Sequence, residues 1–176
     1  MSFDALAGYF AVHRNLPVFL LFFTGFAIKA GFIPLHTWLP EAHPAAPSHV
    51  SGVMSGVMIK MGIYGIMRVL IPVQSDLFAC AAIILVISLL SGILGVMMAL
   101  VQKDLKKLLA YSTIENIGIT GIGIGLGMAG RALDNHMLAL LGFSGGLLHL
   151  LNHSLFKSLL FFSSGSVYRA IHTRNM

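Results

Sequence analysis

The feature that most constrains this chain is a pair of apolar segments that each carry one lysine and are joined by a proline-rich bend. The run GFAIKAGFIPLHTWLPEAHPAAPSHVSGVMSGVMIKMGIYGIMR occupies residues 25–68 and contains Lys29 and Lys60. A charge inside an apolar span is costly wherever water is absent, so such lysines indicate a proton or ion path. These two lysines are therefore the first candidates for function.

Composition places the chain among membrane proteins. Hydrophobic residues make up 57% of it and charged residues 10%, whereas roughly a quarter of the residues of a soluble domain are charged. The basic residues behind the net charge of +5 stand singly or in one short loop, without the aromatic interleaving of a nucleic-acid site. The single cysteine, Cys80, excludes a disulfide framework and a CxxC redox motif. We therefore predict an integral membrane protein that binds no nucleic acid.

Apolar segment lengths predict an all-α transmembrane bundle of about five spans, since roughly 20 apolar residues cross a bilayer as a helix. The predicted spans are residues 18–33, 50–71, 77–101, 108–128 and 136–167. Residues 1–17 lack a signal-peptide pattern and are expected to form a polar or interfacial lead-in. The last span is longer than one crossing requires, so it is expected to tilt, break or extend beyond the membrane. The chain, residues 1–176, is interpreted as one partial transmembrane domain.

A break in the first lysine-bearing helix is predicted just beyond Lys29, because a glycine and a proline follow it. Later prolines are expected to keep the joint, residues 34–48, irregular until about His49. The residues that mark the break and the joint are Gly31, Pro34, His36, Trp38 and Pro40. Irregular backbone at membrane depth is tolerated only where protein or water satisfies it, so the joint is expected to be internal. The alternative is a re-entrant or surface loop with ordinary turn prolines.

The last span carries the densest polar cluster of the sequence. In LLHLLNHSLFKSLLF, His149, His153 and Lys157 recur every four residues and would form one helical stripe with successive groups roughly 6 Å apart. Two imidazoles and a lysine in an apolar helix are what a hopping proton or its water chain needs. The imidazoles could instead share a metal ion, but no third ligand of carboxylate or thiol type is adjacent. We therefore predict a proton relay and no metal site.

Two further ionisable residues lie inside predicted spans. Lys60 is near the middle of its span, too far from either end to reach the interface easily, so it is expected to face a partner helix or water. Glu115 lies in AYSTIEN beside three hydroxyl side chains, and it could belong to the proton path. It could equally be an interfacial or first-turn acid near the start of its span, where a carboxylate interacts favourably with the helix N-terminus.

Basic residues outside the spans predict the orientation. If the spans alternate, one side holds Lys103, Lys106, Lys107, Arg169 and Arg174, and the other holds Arg14, Arg68 and Arg131. Cytoplasmic loops carry an excess of lysine and arginine. The QKDLKK loop and the proline-rich bend are therefore expected on the cytoplasmic side.

Three segments resemble the antiporter-like proton-translocating subunit family. They are KAGFIPLHTWLPEAHPAAPSHVSGVMSGVMIKMGIYGIMR, DLKKLLAYSTIENIG and HLLNHSLFKSLLFFSSGSV. This family includes large membrane subunits of respiratory complex I, of Mrp antiporters and of group 4 hydrogenases, and the chain is most similar to the hydrogenase-4 component B and formate hydrogenlyase subunit 3 branch. The resemblance implies a fold of about fourteen helices with inverted repeats, of which this chain would cover only the middle.

The resemblance also implies roles for the residues that match these motifs. Lys29 resembles the lysine of the first broken helix, and Lys60 resembles the relay lysine of the next helix. His149, His153 and Lys157 resemble the histidines and the central lysine of the later relay helix. In the family, the first of these lysines pairs with a glutamate on an earlier helix, and that glutamate is not within this chain.

The function implied by the resemblance is proton translocation in a redox-driven complex related to hydrogenase or NADH dehydrogenase, in the cytoplasmic (inner) membrane of a bacterium or archaeon. The partners would be other membrane subunits, a peripheral redox arm and the lipid bilayer. No cofactor and no catalytic site are expected in this chain, which has no flavin, iron–sulfur or quinone motif. Two alternatives remain open: a sodium/proton antiporter subunit, and a non-transporting scaffold whose lysines only hold helices together.

Overall fold

The structure, a computed structural model, describes residues 3–175, with side chains described from Gly8 onward. The structure is 83% helical, and the described residues contain no strand. The helices are α1 (Phe3–Val12), α2 (Asn15–Ala30), α3 (Trp38–Ala45), α4 (Ser48–Val53), α5 (Ile59–Leu70), α6 (Leu77–Leu100), α7 (Leu105–Ala132) and α8 (His136–Ile171). A π-helical turn, Met54–Met58, joins α4 and α5 into one rod. The all-α fold class is therefore confirmed.

Among the described residues, three helices are long and apolar enough to cross a membrane. They are the Ser48–Leu70 rod, α6 and α8. The shorter α2 has 16 residues and α7 has 28, and a membrane crossing by these two helices stays a prediction. α8 is one unbroken helix of 36 residues.

α2 ends at the predicted place, and Gly31 ends it. Gly31 adopts a left-handed conformation with φ of 83°, and its amide donates to the Ile28 carbonyl while the Phe32 amide donates to the Ala27 carbonyl. This pair of hydrogen bonds is the Schellman motif, which glycine favours because it has no Cβ. Pro34 follows in the turn that leads to α3. The helix break just beyond Lys29 is therefore confirmed.

The expectation that prolines keep the joint irregular until about His49 is wrong. α3 occupies Trp38–Ala45 and carries Pro40 in its first turn, where an amide has no intrahelical acceptor and proline costs little. Pro44 lies in the last turn of α3, and Pro47 immediately precedes α4. The prolines therefore lie at or near the ends of two short helices, because the free-energy cost of a proline depends on its position within the helix.

Glycines allow α7 to pack closely against α8 and α6. A Cβ placed on Gly123 of α7 would lie 2.7 Å from the Gly146 Cα of α8, and one on Gly118 would lie 2.5 Å from the Gly92 nitrogen of α6. Such backbone contact between helices needs small residues on both sides. α7 is therefore the central helix, with α6 and α8 packed against it.

Three basic residues gather the joint, the start of α7 and the end of α8 at one end of the bundle. Lys106 Nζ donates to the Ala46 carbonyl at 2.7 Å, and Arg174 donates to the Pro44 carbonyl at 2.7 Å. Lys107 forms an exposed ion pair of 2.9 Å with Glu41. The hydrogen bond from this carboxylate raises the pKa of Lys107 above its ordinary value.

The opposite end of the bundle is held by partly buried polar contacts to the end of α5 and to the α5–α6 connection. The Asn15 side chain accepts hydrogen bonds from the amides of Gln74 and Ser75 at 2.8 and 3.2 Å. Arg131 donates to the carbonyls of Leu70 and Val73, each at 2.9 Å. Arg131 thus donates to the last carbonyl of α5 and to a carbonyl of the turn that follows it, where a cation interacts favourably with the C-terminal end of the helix.

Candidate functional site

α8 carries three titratable side chains on the face that it turns to α7. His153 is fully buried and Lys157 is 2% exposed, while His149 is half-buried. The rings of His149 and His153 are nearly parallel, with an interplanar angle of 9° and centroids 6.3 Å apart. The four-residue spacing in the sequence therefore aligns them along the helix.

Lys60 on α5 contacts this face directly. Its Nζ lies 3.1 Å from His153 Nδ1 and also donates to the Ser55 carbonyl. An ammonium group has only donors, so while Lys60 is charged the Nδ1 atom accepts and a neutral His153 carries its proton on Nε2. That Nε2 atom is buried and has no hydrogen-bond partner. The pair is therefore arranged for proton exchange at one ring nitrogen and release at the other.

The π-helical turn Met54–Met58 lies immediately before α5. Within it, the Ser55 carbonyl accepts from Lys60 and the Gly56 carbonyl accepts from the Ser154 hydroxyl of α8. A π turn inserts one residue into an α-helix and is frequently found at functional sites. The turn thus supplies two backbone acceptors beside the Lys60–His153 contact.

Lys157 is held by α7. Its Nζ donates to the Ser112 hydroxyl and lies 3.3 Å from the Leu109 carbonyl. These acceptors offset part of the cost of burying an ammonium group. No ion pair involves Lys157 within the part of the chain that the structure describes.

Asn116 of α7 connects the two ends of the α8 face. His149 Nε2 lies 3.1 Å from the Asn116 Oδ1 atom, and the Asn116 amide donates to the Ser112 carbonyl at 2.7 Å. Ser112 in turn contacts Lys157 through its hydroxyl. Among the described residues the polar groups therefore run from Lys60 to Lys157 with two gaps, one between the two imidazoles and one between the Ser112 carbonyl and its hydroxyl, which water molecules or side-chain rotation must bridge.

Glu115 lies inside α7, so its interpretation as a first-turn acid is wrong. α7 begins at Leu105, and the carboxylate that caps it belongs to Asp104, which accepts from the amides of Lys106 and Lys107. Glu115 is half-buried, and its backbone packs against Gly95 of α6. Among the described residues it forms no ion pair within 4.0 Å. Its part in a relay stays a prediction.

The structure does not bring Lys29 into this cluster. Its side chain is exposed in the last turn of α2, where a cation interacts favourably with the helix dipole. Between residues 8 and 175, no ion pair involves it. The relay role of Lys29 therefore stays a prediction that rests on the resemblance.

The predicted joint residues shape the connection between α2 and α3. The Trp38 indole donates to the Ile28 carbonyl at 2.8 Å, which fastens the start of α3 to the end of α2. The His36 ring lies 6.4 Å from that of Tyr111, and its Nδ1 atom is buried without a hydrogen-bond partner. His36 therefore lies against α7, whereas Trp38 connects α3 to α2.

Two polar residues near the cluster are absent from the predicted site. Asn116 lies four residues after Ser112, so its place on the same face of α7 could have been inferred from helical spacing. His43 is fully buried, is stacked on Phe161 at 4.5 Å and has no partner for either ring nitrogen. Its burial depends on α3, which the sequence did not predict. In the described part of the chain, no group of three or more His, Cys, Asp or Glu side chains could hold a metal ion.

Comparison with known proteins shows similarity along the whole chain. Residues 1–176 match the family described as NADH:quinone oxidoreductase/Mrp antiporter, TM. The chain is 48% identical to hydrogenase-4 component B of Escherichia coli (strain K12), over 90% of this chain and 24% of that protein. It is 42% identical to formate hydrogenlyase subunit 3 of the same strain, over 86% of this chain and 25% of that protein.

A solved structure also shares the fold. A chain of the membrane-bound sulfane sulfur reductase, an archaeal respiratory membrane complex, matches with a TM-score of 0.81 and 25% identity, over 97% of this chain and 34% of that one. The chain spans about a quarter of the length of the two curated relatives, so its fold is part of a larger one.

Proposed function

Since the chain belongs to the NADH:quinone oxidoreductase/Mrp antiporter transmembrane family, we propose that it relays protons within a membrane subunit of a redox-driven complex. The observation that carries the proposal is the 3.1 Å contact between Lys60 Nζ and His153 Nδ1. Both groups can gain and lose a proton, and they come from different helices. The contact therefore provides a direct transfer step across the α5–α8 boundary.

The proposed relay uses each side chain according to its chemistry. A proton moves from Lys60 to His153 Nδ1, and the resulting imidazolium releases the proton on Nε2. Water or a ring rotation carries the proton to His149. Asn116 orients this second imidazole but does not ionise, whereas the Ser112 hydroxyl can both accept from and donate to Lys157.

The energy for transport would come from partner subunits. Relatives of this chain are subunits of multi-subunit membrane complexes, and the chain is an integral membrane protein. We propose that its partners are other membrane subunits and a peripheral redox arm of a hydrogenase-like or complex I-like assembly in a bacterial or archaeal inner membrane. No cofactor is assigned to this chain. Lys29 and Glu115 are proposed as further proton carriers in the complete subunit.

Proton flux in lysine and histidine variants tests the proposal. Lys157→Met and His153→Leu, each introduced into the complex that contains the protein and reconstituted in vesicles, are expected to lower proton uptake at least about tenfold, because each removes a titratable carrier. Lys103→Gln is the matched control, since Lys103 is exposed outside the cluster. Normal uptake by assembled complexes of both cluster variants would refute the relay.

Sodium/proton exchange is the second candidate, because the family description includes the Mrp antiporter. The Lys60–His153 cluster favours protons, since ammonium and imidazole groups carry protons whereas sodium prefers oxygen ligands. Replacement of sodium by choline in the same vesicles is expected to leave proton uptake unchanged. Sodium-dependent uptake would favour exchange. Full uptake in every assembled lysine variant would favour a scaffold.

A further inference from the structure

A cavity of about 650 Å³ lies where the α3–α4 joint, the start of α7 and the end of α8 meet. Its volume falls in the range of small-molecule sites. The basic and imidazole side chains that line it are His49, Lys106, Arg169, His172 and Arg174, and no carboxylate side chain is among its described lining residues. Lys60, His153 and Lys157 do not line it, so this cavity is separate from the relay.

Lys106 is a buried cation that lines this cavity and has hydrogen-bond donors without an acceptor in the described part of the protein. The residue is 5% exposed, and its Nζ donates to the Ala46 carbonyl at 2.7 Å. An ammonium group has three donor hydrogens, so two lack a protein acceptor among the described residues. Burial, followed by the nearby Arg174 charge, lowers the pKa of Lys106 from its ordinary value, and Asp104 opposes this only in part. An anion in the cavity would supply the missing compensation.

An arginine, an imidazole and apolar side chains, all exposed, extend the site outward. Arg169 and His172 are exposed at the end of α8, and the Arg174 guanidinium lies 5.6 Å from the centre of the Tyr168 ring. Phe162 and Tyr168 line the same cavity and are themselves exposed. Basic pockets between transmembrane helices, bordered by interfacial aromatic residues, suit a lipid phosphate with its acyl chains on the apolar helix faces.

We propose that this cavity binds the phosphate of an anionic glycerophospholipid, with Lys106, Arg169 and Arg174 as its principal ligands. Arg174 retains donors for this purpose because a guanidinium has five, whereas its acceptors are the Pro44 carbonyl at 2.7 Å and, in a looser ion pair of 3.9 Å, the Asp104 carboxylate. Since Lys106 and Arg174 already donate to carbonyls of the joint, the bound lipid would fasten the joint to α7 and α8.

Thermal unfolding with defined lipids tests this site. The protein, purified in detergent within the membrane assembly that contains it, is titrated with phosphatidylglycerol, phosphatidylcholine or glycerol phosphate. Phosphatidylglycerol is expected to raise the Tm at lower concentration than the other two. Arg169→Gln should weaken the apparent affinity for phosphatidylglycerol about tenfold, which is the loss of one charge-assisted hydrogen bond. His172 is also exposed, and His172→Gln should likewise weaken the apparent affinity for phosphatidylglycerol.

Lys103→Gln is the matched control, because Lys103 is an exposed cation near the start of α7 that does not line the cavity. It should bind phosphatidylglycerol as the wild type does. Equal stabilisation by phosphatidylcholine, equal potency of glycerol phosphate, or an equal loss in Lys103→Gln would each overturn the lipid site. So would unchanged affinity in both Arg169→Gln and His172→Gln.

Discussion

The Lys60–His153 contact predicts strong energetic coupling between α5 and α8. The test is a double-mutant cycle of Lys60→Met, His153→Leu and the double variant. Lys60→Met leaves the buried His153 ring with no hydrogen bond at either nitrogen, because Nε2 already lacks a partner. His153→Leu leaves the Lys60 ammonium with the Ser55 carbonyl as its remaining acceptor.

The size of the coupling follows from the cost of unpaired buried groups. Leaving one buried polar group without a partner costs about 1–3 kcal/mol, and a hydrogen bond to a charged group contributes about 1.5–3 kcal/mol. Replacing both partners by apolar groups of similar shape is nearly neutral. Each single variant should therefore lower the free energy of unfolding by about 1–1.5 kcal/mol and the double variant should be nearly neutral, so the coupling energy, the difference between the double and the sum of the singles, should be about 2–3 kcal/mol.

Denaturation in mixed micelles, with the free energy of unfolding measured for all four proteins, provides the assay. Proton uptake by the reconstituted complex should be lost in the singles and the double alike, since the double restores packing but no titratable group. As a control, Lys60→Met combined with Lys103→Gln should be additive. Additivity within about 0.5 kcal/mol for the Lys60–His153 pair would show that the two residues do not interact, and direct exchange would be refuted.

Three further outcomes are expected. Ser112→Ala should slow proton uptake about tenfold, since it removes the hydroxyl that contacts Lys157; uptake equal to that of Ser163→Ala, an exposed control, would contradict this. Gly123→Val should lower the free energy of unfolding by at least about 2 kcal/mol, because its Cβ would lie 2.7 Å from the α8 backbone. Gly145→Ala, which has no neighbour within 4 Å, should be neutral or stabilising. Equal effects of the two substitutions would show that α7 and α8 are not in backbone contact. Glu41→Gln should lower the Tm only at pH values below the raised pKa of Lys107. The ion pair contributes its full stabilisation below the ordinary lysine pKa, and this stabilisation is lost as pH rises through the raised pKa. A Tm difference that persists in strong alkali would exclude the ion pair as its cause.

Much of the fold follows from short-range sequence properties. The end of α2 beyond Lys29 was predictable because Gly31 suits a left-handed helix cap. The alignment of His149 and His153 was predictable because a spacing of four residues repeats one helix face. Neither inference requires knowledge of which helix packs opposite.

The parts that depend on tertiary contacts were not predicted. α3 was missed because proline is tolerated in a first turn, and the sequence alone does not show where that turn begins. The contact of Lys60 with His153 joins residues far apart in the sequence, so neither helix by itself identifies the partner. The α-helical pattern likewise contains no signal for the π turn at Met54–Met58.

Because of this π turn, the number of residues in the Ser48–Leu70 rod determines whether Lys60 faces His153. α4 packs on α8 and α5 packs on α2, so the two halves of the rod have different neighbours. One residue corresponds to a rotation of about 100° around a helix axis. Deleting one residue from Met54–Met58 would restore a regular α-helix only by turning Lys60 away from His153 or α4 away from α8. The alignment of Lys60 with His153 thus depends on the number of residues in the π turn. Deleting one of them would destroy this alignment without removing any charged side chain.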